Sequence, residues 1–234
     1  LGLMKMPEYR LTGVATTRME TAQRTADMFC VPHAFSDPHA LIEHPDIDVV
    51  AITVKVPNHH KFAMAAIKAG KHVFCEWPLG NGLKEAEEMA DAARSRGICT
   101  AIGLQGRSSP AIAQARALIA SGYIGRPIAS SMIVSAEHLN DVLPAELETL
   151  LYPEYGTTMF TVHFGHFSDL LCTVLGEFKR LSAEFSIQRT DVSIAEDGRK
   201  VQGRATDHIA LSGLLQNGAS ASLHLRGGHS RGVK

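Results

Sequence analysis

The chain has 234 residues, of which 45% are hydrophobic and 20% are charged, so it can bury a sizeable core in one large or two modest domains. Its 23 basic and 24 acidic residues leave a formal net charge of -1, which removes any general electrostatic attraction to nucleic acid or anionic membranes. No apolar run approaches the roughly 20 residues of a membrane span, and no signal-peptide pattern opens the chain. The four cysteines lack close paired spacing, which favours free thiols in a reducing compartment, so we expect a cytoplasmic protein.

The N-terminal residues predict the middle of a strand-helix-strand unit. Residues 1–6 resemble the end of a helix, 10–15 a strand, and 20–29 and 37–43 two further helices. A dinucleotide fold holds the pyrophosphate on a glycine-rich turn between its first strand and first helix, and no G-x-G-x-x-G turn precedes a helix here. We therefore expect that the first strand and its loop belong to a longer chain. The alternative is a fold that has lost its phosphate loop.

The end of the strand over 10–15 is where a dinucleotide enzyme holds the adenosine ribose. An acidic residue there suits the 2′-hydroxyl of NAD, whereas an arginine suits the 2′-phosphate of NADP. The sequence has Thr16, Thr17 and Arg18 and no acid, which favours NADP. The alternative is that Thr17 caps the following helix and Arg18 is solvated.

A complete strand-helix-strand unit occupies residues 48–79. A buried strand over 49–54, a helix over 60–69 and a second strand over 72–75 are predicted, and the right-handed crossover rule makes the strands parallel. Ligands of such sheets bind beyond the carboxyl ends of the strands. The cofactor-binding candidates at these ends are Val54, Pro57, Asn58, His60, Glu76, Trp77 and Pro78.

A helix over 84–96 and a strand over 100–104 complete the predicted sheet. The following loop contributes two more cofactor-binding candidates, Gln105 and Arg107. Arg107 is either a solvated linker charge or a clamp for an anionic substrate group.

The second half of the chain predicts one long helix and an antiparallel sheet. Strands are expected over 128–136, 181–189, 207–215 and 219–225, with a long loop over 137–155 and a helix over 157–174. His163, His166 and Asp169 follow one another at intervals of three on that helix. Because no further acidic or cysteine ligand is near in sequence, we predict no metal site there.

Several motifs together resemble the Gfo/Idh/MocA oxidoreductases. These are the Pro-Asn-His turn at 57–59, Gly-Lys-His-Val at 70–73, Glu-x-Pro-Leu at 76–79, and the stretches 104–110 and 164–169. The last two are most similar to the branch that includes the fungal galactose-pathway corepressor. The resemblance implies an α/β protein in which a partial Rossmann domain, 1–107, precedes an α+β substrate domain, 108–234, that has a mostly antiparallel sheet and is C-terminally incomplete.

The resemblance also implies the chemistry, and the sequence departs from it at two positions. The family's Glu-Lys-Pro is Glu76-Trp77-Pro78 here, and the aspartate expected four residues before His166 is Val162. His166, with His163 beside it, remains as the expected catalytic group. The primary hypothesis is an NAD(P)-dependent oxidoreductase of a sugar, polyol or related small molecule. The alternative is an inactive NAD(P)-sensing regulatory protein.

The family's open sheet face commonly forms a dimer interface. In this chain that face is predicted to carry Ser131, Ile133 and Ser135, and we expect a homodimer through it. Beyond a second copy, the expected partner is a small-molecule substrate, with no direct binding of nucleic acid or membrane.

Overall fold

The structure is a computed structural model, and it describes residues 5–136 and 139–228. The chain divides into two compact units, and the division falls between Gly103 and Leu104. Of the helix end expected over 1–6, residues 1–4 lie outside the described residues. Within the described ranges, no helix is both long enough and apolar enough to cross a membrane.

The first unit alternates short strands with helices. In chain order these are β1 (Gly13–Ala15), α1 (Met19–Phe29), β2 (His33–Phe35), α2 (Pro38–Glu43), β3 (Val49–Ile52), α3 (His59–Lys68), β4 (His72–Glu76), α4 (Leu83–Ser95) and β5 (Thr100–Gly103). The pairs β1-β2, β3-β4 and β4-β5 are all parallel. The predicted Rossmann-like parallel arrangement is confirmed.

The parallel strands form a pair, β1-β2, and a separate trio, β3-β4-β5. Among residues 5–136 and 139–228, these two groups of strands belong to separate sheets. The prediction of a fully buried β3 is wrong, because its side chains alternate. Val50 and Ile52 are buried, whereas Val49 and Ala51 are exposed.

One apolar cluster holds the trio of strands against two helices. It joins Val50 and Ile52 of β3 to Val73 and Cys75 of β4, and to small or flexible side chains of α3 and α4, namely Ala63, Ala66, Ile67, Met89 and Ala93. Alanines on α3 let the helix approach the sheet closely, and each buried strand residue removes apolar surface from water. This packing fixes where the carboxyl ends of β3 and β4 lie.

The second unit contains two helices, two sheets and several tight turns. Its regular elements are α5 (Pro110–Ala120), β6 (Ala129–Ala136), β7 (Val142–Leu143), α6 (Gly165–Leu175), β8 (Phe178–Ser186), β9 (Asp191–Ile194), β10 (Lys200–Gln202), β11 (His208–Leu215) and β12 (Ser220–Gly227). The larger sheet has the order β6-β12-β11-β8 and is antiparallel except for the β6-β12 pair. The predicted mostly antiparallel sheet is confirmed.

The loop expected over 137–155 is more ordered than predicted. Residues 137 and 138 lie outside the described ranges, but β7 pairs in parallel with β9 and belongs to a small sheet with β10. Two segments of 3-10 helix, Ala145–Leu151 and Pro153–Tyr155, follow β7. Leu139, Leu143 and Leu151 are buried and anchor this segment, but three widely spaced anchors produce no periodic pattern in the sequence.

The helix expected over 157–174 is interrupted at its start. Phe160–Phe164 form a π-helical turn, in which the N–H of Phe164 donates to the carbonyl oxygen of Met159 at 2.9 Å. Regular α-helix begins only at Gly165. A π-helical turn holds one residue more than an α-helical turn, so His163 does not keep the rotational position that an unbroken helix would give it.

Candidate functional site

The turn after β1 is organised by two threonine hydroxyls. Thr16 Oγ1 and Thr21 Oγ1 each donate to the carbonyl oxygen of Arg18 at 2.8 Å, and the two hydroxyls lie 2.6 Å apart. The residue at the N-cap of α1 is Arg18, in an extended conformation, so the alternative that Thr17 caps this helix is wrong. The side chains of Thr17 and Arg18 are exposed at this carboxyl end.

A buried histidine that the sequence reasoning overlooked joins the ends of β3 and β4. His59 is only 1% exposed, and its Nδ1 and Nε2 lie 2.8 Å from the carbonyl oxygens of Pro78 and Val54 respectively. The expected candidate His60 lies instead against α4, where its Nε2 is 2.9 Å from Glu88 Oε2. The signal for His59 was present, because it is the first of the helix positions 59, 63, 66 and 67 that face the core.

The carboxyl end of β3 combines exposed side chains with a fixed backbone. Val54 is 43% exposed and Pro57 and Asn58 are also exposed, whereas Val56 between them is buried in a short 3-10 turn, Val56–Asn58. The structure therefore brings Val54, Pro57 and Asn58 to one strand end, as the sequence predicts, with their backbone anchored in the core through Val56.

The carboxyl end of β4 carries Glu76, Trp77 and Pro78. Glu76 is exposed, Trp77 is half-buried and Pro78 is buried, and the Trp77–Pro78 peptide bond is cis. An indole N–H donates one hydrogen bond and accepts none, so Trp77 cannot both give and take a proton. Burial, assisted by the charge of Glu76, raises the pKa of the neighbouring Cys75 thiol to about 12, which excludes it as a thiolate nucleophile at neutral pH.

In the second unit, α6 carries His166 one turn before Asp169. Burial lowers the pKa of His166 below its ordinary value, and the nearby Asp169 charge opposes that shift. A lowered pKa favours the neutral imidazole, which is the form that can act as a general base. His163 lies in the preceding π-helical turn rather than on α6.

Arg107 forms an ion pair with Asp169 of α6, and its side chain is still 54% exposed. Its Nε donates to Asp169 Oδ1 and Oδ2 at 3.0 and 2.9 Å, and its Nη2 also contacts Oδ1. Gly106 lies so close to α6 that a β-carbon there would be 2.7 Å from Leu170 Cδ2. The 3-10 segment Gln105–Ser108 is thus docked on α6, although the Gln105 side chain itself is exposed.

In the first unit, most of the candidate side chains lie at strand ends of the kind that bind ligands in parallel sheets. The candidates Thr16, Thr17 and Arg18 follow β1, and Val54, Pro57, Asn58, Glu76, Trp77 and Pro78 follow β3 and β4, all at carboxyl ends of parallel strands. Arg18 offers a guanidinium, a group that pairs with phosphates, and Trp77 offers an aromatic face of the kind that stacks on ring systems. The residues present therefore fit NAD(P).

Comparison with known proteins agrees with this geometry. Residues 2–104 match the oxidoreductase family with an NAD-binding Rossmann fold, GFO_IDH_MocA, and residues 110–234 match the Gal80p C-terminal domain. Dehydrogenase aclE from Aspergillus oryzae is 32% identical over 77% of this chain and 50% of its own length. The chain spans about half the length of the curated relatives it matches.

Two solved structures share the fold. A super-repressor mutant of Gal80p from Saccharomyces cerevisiae superposes with a TM-score of 0.89 and 26% identity, over 97% of this chain and 62% of that one. Levoglucosan dehydrogenase in complex with NADH and L-sorbose superposes with a TM-score of 0.84 and 26% identity, over 95% of this chain and 59% of that one. The chain therefore belongs to the Gfo/Idh/MocA oxidoreductase family, with an NAD-binding Rossmann domain followed by a Gal80p-type C-terminal domain.

Proposed function

We propose that this protein is an NAD(P)-dependent oxidoreductase that acts on a sugar, a polyol or a related small molecule. The observation that carries the proposal is His166, a half-buried histidine whose pKa is lowered by burial on a helix that the Arg107–Asp169 ion pair stabilises. The relatives named as dehydrogenases support the reaction class, and the complex of levoglucosan dehydrogenase with NADH and L-sorbose supports the substrate class.

The proposed reaction assigns a separate role to each unit. The first unit holds the cofactor through the ends of β1, β3 and β4, and bound nicotinamide supplies the hydride acceptor. In the second unit, neutral His166 accepts the proton that a substrate hydroxyl releases as its carbon loses the hydride. His163 is the proposed auxiliary group, and Trp77 orients ligands through its ring face and its N–H donor.

We propose NADP rather than NAD as the preferred cofactor. Arg18 and Thr17 are exposed after β1, and no carboxylate occupies this turn, residues 16–18. A guanidinium favours a 2′-phosphate, whereas a carboxylate would repel it. Gln105 and Arg107 remain further candidates for cofactor contacts from the sequence alone.

The second candidate function is a regulatory protein that binds NAD(P) without turnover. Two observations favour it. The family's acid-base lysine and aspartate positions are Trp77 and Val162, and the C-terminal half matches the Gal80p domain. Gal80 is named as a regulatory protein of galactose and lactose metabolism. In this alternative the partner would be another protein in addition to the small molecule.

A substrate screen with matched variants separates the two functions. The intact protein would be assayed with NAD and NADP against sugars, polyols and lactones, following absorbance of the reduced nicotinamide. For the enzyme we expect turnover that His166→Ala abolishes and that Trp77→Lys raises or leaves unchanged. No turnover by the wild type, with Trp77→Ala weakening nicotinamide binding by ~1 kcal/mol, would support the regulator. Turnover that survives His166→Ala would contradict both assignments.

We also propose that the protein is a homodimer through the outer face of the larger sheet. A row of serines, Ser131, Ser222, Ser212 and Ser182, crosses all four strands on that face, and an open groove of about 530 Å³ follows it. Ile133 beside this row is 73% exposed. The small side chains of this row and Ile133 allow close contact with an identical face, which also carries Glu184, His224 and Arg226.

Light scattering of matched variants tests the dimer. Ile133→Arg places a charge on the face and should give monomers at micromolar concentration, whereas Ile124→Arg, at an exposed turn of the same unit, should not. A monomeric wild type would contradict the proposal.

The four free cysteines are compatible with the reducing cytoplasm, which is the compartment we propose.

A further inference from the structure

Three potential metal ligands converge beside the amino-terminal end of β2. His33, His44 and Asp46 each offer a ligand atom, and these atoms lie within 4.8 Å of one another. His33 Nε2 and Asp46 Oδ2 are 3.6 Å apart, and the two imidazole rings have centroids 4.3 Å apart. Two ligands of one tetrahedral zinc ion are about 3.3 Å apart, given metal-ligand bonds of about 2.0–2.1 Å. Rotation of the side chains would have to close the remaining gap.

The backbone that carries these ligands is already fixed. His33 begins β2, where its N–H donates to the carbonyl oxygen of Thr12 at 3.2 Å. His44 and Asp46 lie on a tight turn in which the N–H of Ile47 donates to the carbonyl oxygen of His44 at 3.2 Å, and Ile47 is buried. A site on a rigid backbone loses little conformational entropy when an ion binds.

Lys71, from a distant part of the chain, hydrogen-bonds to the backbone of the turn that carries His44 and Asp46. Its Nζ donates to the carbonyl oxygens of His44 and Ile47 at 3.0 and 2.6 Å. Its positive charge works against a bound cation, and the Asp46 carboxylate offsets that charge. The N–H of Asp46 also donates to His44 Nδ1 at 3.3 Å, a long hydrogen bond whose loss on ligation costs little.

From this geometry we propose that His33, His44 and Asp46 bind a divalent transition-metal ion of the zinc class. Two imidazoles and one carboxylate suit Zn²⁺, Co²⁺ or Ni²⁺ and are too few oxygens for Ca²⁺ or Mg²⁺. Three protein ligands leave a position for water. Because His33 is at the amino end of β2, the ion lies away from the carboxyl end of β1, where the cofactor candidates Thr16 and Arg18 are. It acts as a cross-link between β2 and the turn that leads into β3.

Titration calorimetry of the intact protein with ZnCl₂ tests the proposal, and Co²⁺ absorption reports the ligands. We expect one ion per chain with a dissociation constant on the order of micromolar, and a rise in melting temperature on binding. Loss of one ligand in Asp46→Asn or His33→Gln should weaken binding roughly tenfold or more. Two variants at different ligands keep the test valid if one of them fails to fold.

Glu88→Gln is the matched control. Glu88 is also a carboxylate paired with a histidine, His60, but no third ligand atom converges on that pair among residues 5–136 and 139–228. This variant should bind zinc as the wild type does. The proposal is overturned by the absence of one-to-one binding, by unchanged affinity in Asp46→Asn and His33→Gln, or by an equal loss in Glu88→Gln. A thiolate-to-cobalt charge-transfer band, which would reveal cysteine ligation at Cys30 or Cys99, also overturns it.

Discussion

The Nδ1 atom of His59 lies 2.8 Å from the carbonyl oxygen of Pro78, so one buried ring joins the segment after β3 to the segment after β4. Its Nε2 atom is equally close to the carbonyl oxygen of Val54. A carbonyl oxygen only accepts hydrogen bonds, and a neutral imidazole donates from one nitrogen at a time. The neutral ring therefore donates to one of these two carbonyl oxygens at a time, and its burial places it between the two strand ends at which most of the proposed cofactor contacts lie.

Replacing His59 should destabilise the protein more than replacing its neighbour. His59→Ala removes a buried ring and leaves a carbonyl oxygen without its donor, so we expect a loss of roughly 2–3 kcal/mol in the free energy of unfolding. His60→Ala removes the same ring from a partly exposed pair with Glu88, and its loss should stay within about 1 kcal/mol. Urea denaturation followed by circular dichroism measures both. Equal losses would show that His59 is not a structural link.

The charge of Asp169 should control the titration of His166. Burial lowers the pKa of His166 and the Asp169 charge raises it, so Asp169→Asn should lower that pKa further. NMR titration of the imidazole carbon-bound protons measures the change. Glu177→Gln is the control, since Glu177 is acidic and follows the same helix but is not among the causes of the His166 shift. A higher pKa in Asp169→Asn would contradict the assignment.

His166 should also make stability depend on pH. Its folded-state pKa lies below the ordinary value of 6.5, so between those two pKa values the unfolded chain binds more protons than the folded one. The contribution of His166 is therefore fully present above the ordinary pKa and is lost as pH falls toward the folded-state pKa. As pH falls across this range, the denaturation midpoint of the wild type should fall relative to that of His166→Gln. Parallel curves would argue against the shift.

Arg18 should distinguish the two cofactors. If its guanidinium binds a 2′-phosphate, Arg18→Ala in the intact protein should weaken NADP by ~1–3 kcal/mol and leave NAD nearly unchanged. Calorimetry with each cofactor gives the two affinities. Arg24→Ala, an arginine within α1, serves as the matched control and should affect neither. Equal losses of NAD and NADP in Arg18→Ala would assign Arg18 a structural role.

The cysteines should react in two classes. Cys30 and Cys99 are exposed, whereas burial raises the pKa of Cys75 to about 12 and that of Cys172 to about 11. Since the thiolate is the reacting species, iodoacetamide should modify Cys30 and Cys99 first under native conditions. Peptide mass spectrometry after timed quenching measures the order. Early modification of Cys75 would mean that β4 opens more readily than its packing indicates.

The sequence predicted best where one pattern spans a whole element. The unit from β3 to β4 was located within one or two residues because apolar spacing, Gly70 and the turn at Pro57 agree. Within that unit, the choice of His60 instead of His59 as a candidate shows what the sequence pattern could not predict. Both histidines are adjacent in sequence, and only the position of the helix against the sheet determines which of them is buried.

Contacts between distant residues could not be predicted in this way. Arg107 and Asp169 are 62 residues apart in the chain, and no spacing rule pairs them. The cluster of His33, His44 and Asp46 depends on how α2 and the turn after it fold back beside β2, so a search for close spacing of ligands does not find it. The π-helical turn was equally hidden, because an apolar helix with one extra residue has nearly the same composition as a regular one.

The π-helical turn sets the rotational position, around the helix axis, of the residues just before α6. Each residue of an α-helix advances the chain by about 100° around the axis, so the one additional residue within Phe160–Phe164 offsets the upstream segment by that angle. A homologue one residue shorter here would keep α6 in place yet point His163 and the buried Thr158 toward other neighbours. Aligning such relatives by residue identity alone would then pair side chains that face different directions. The length of this segment would show which positions are structurally equivalent better than its residue types would.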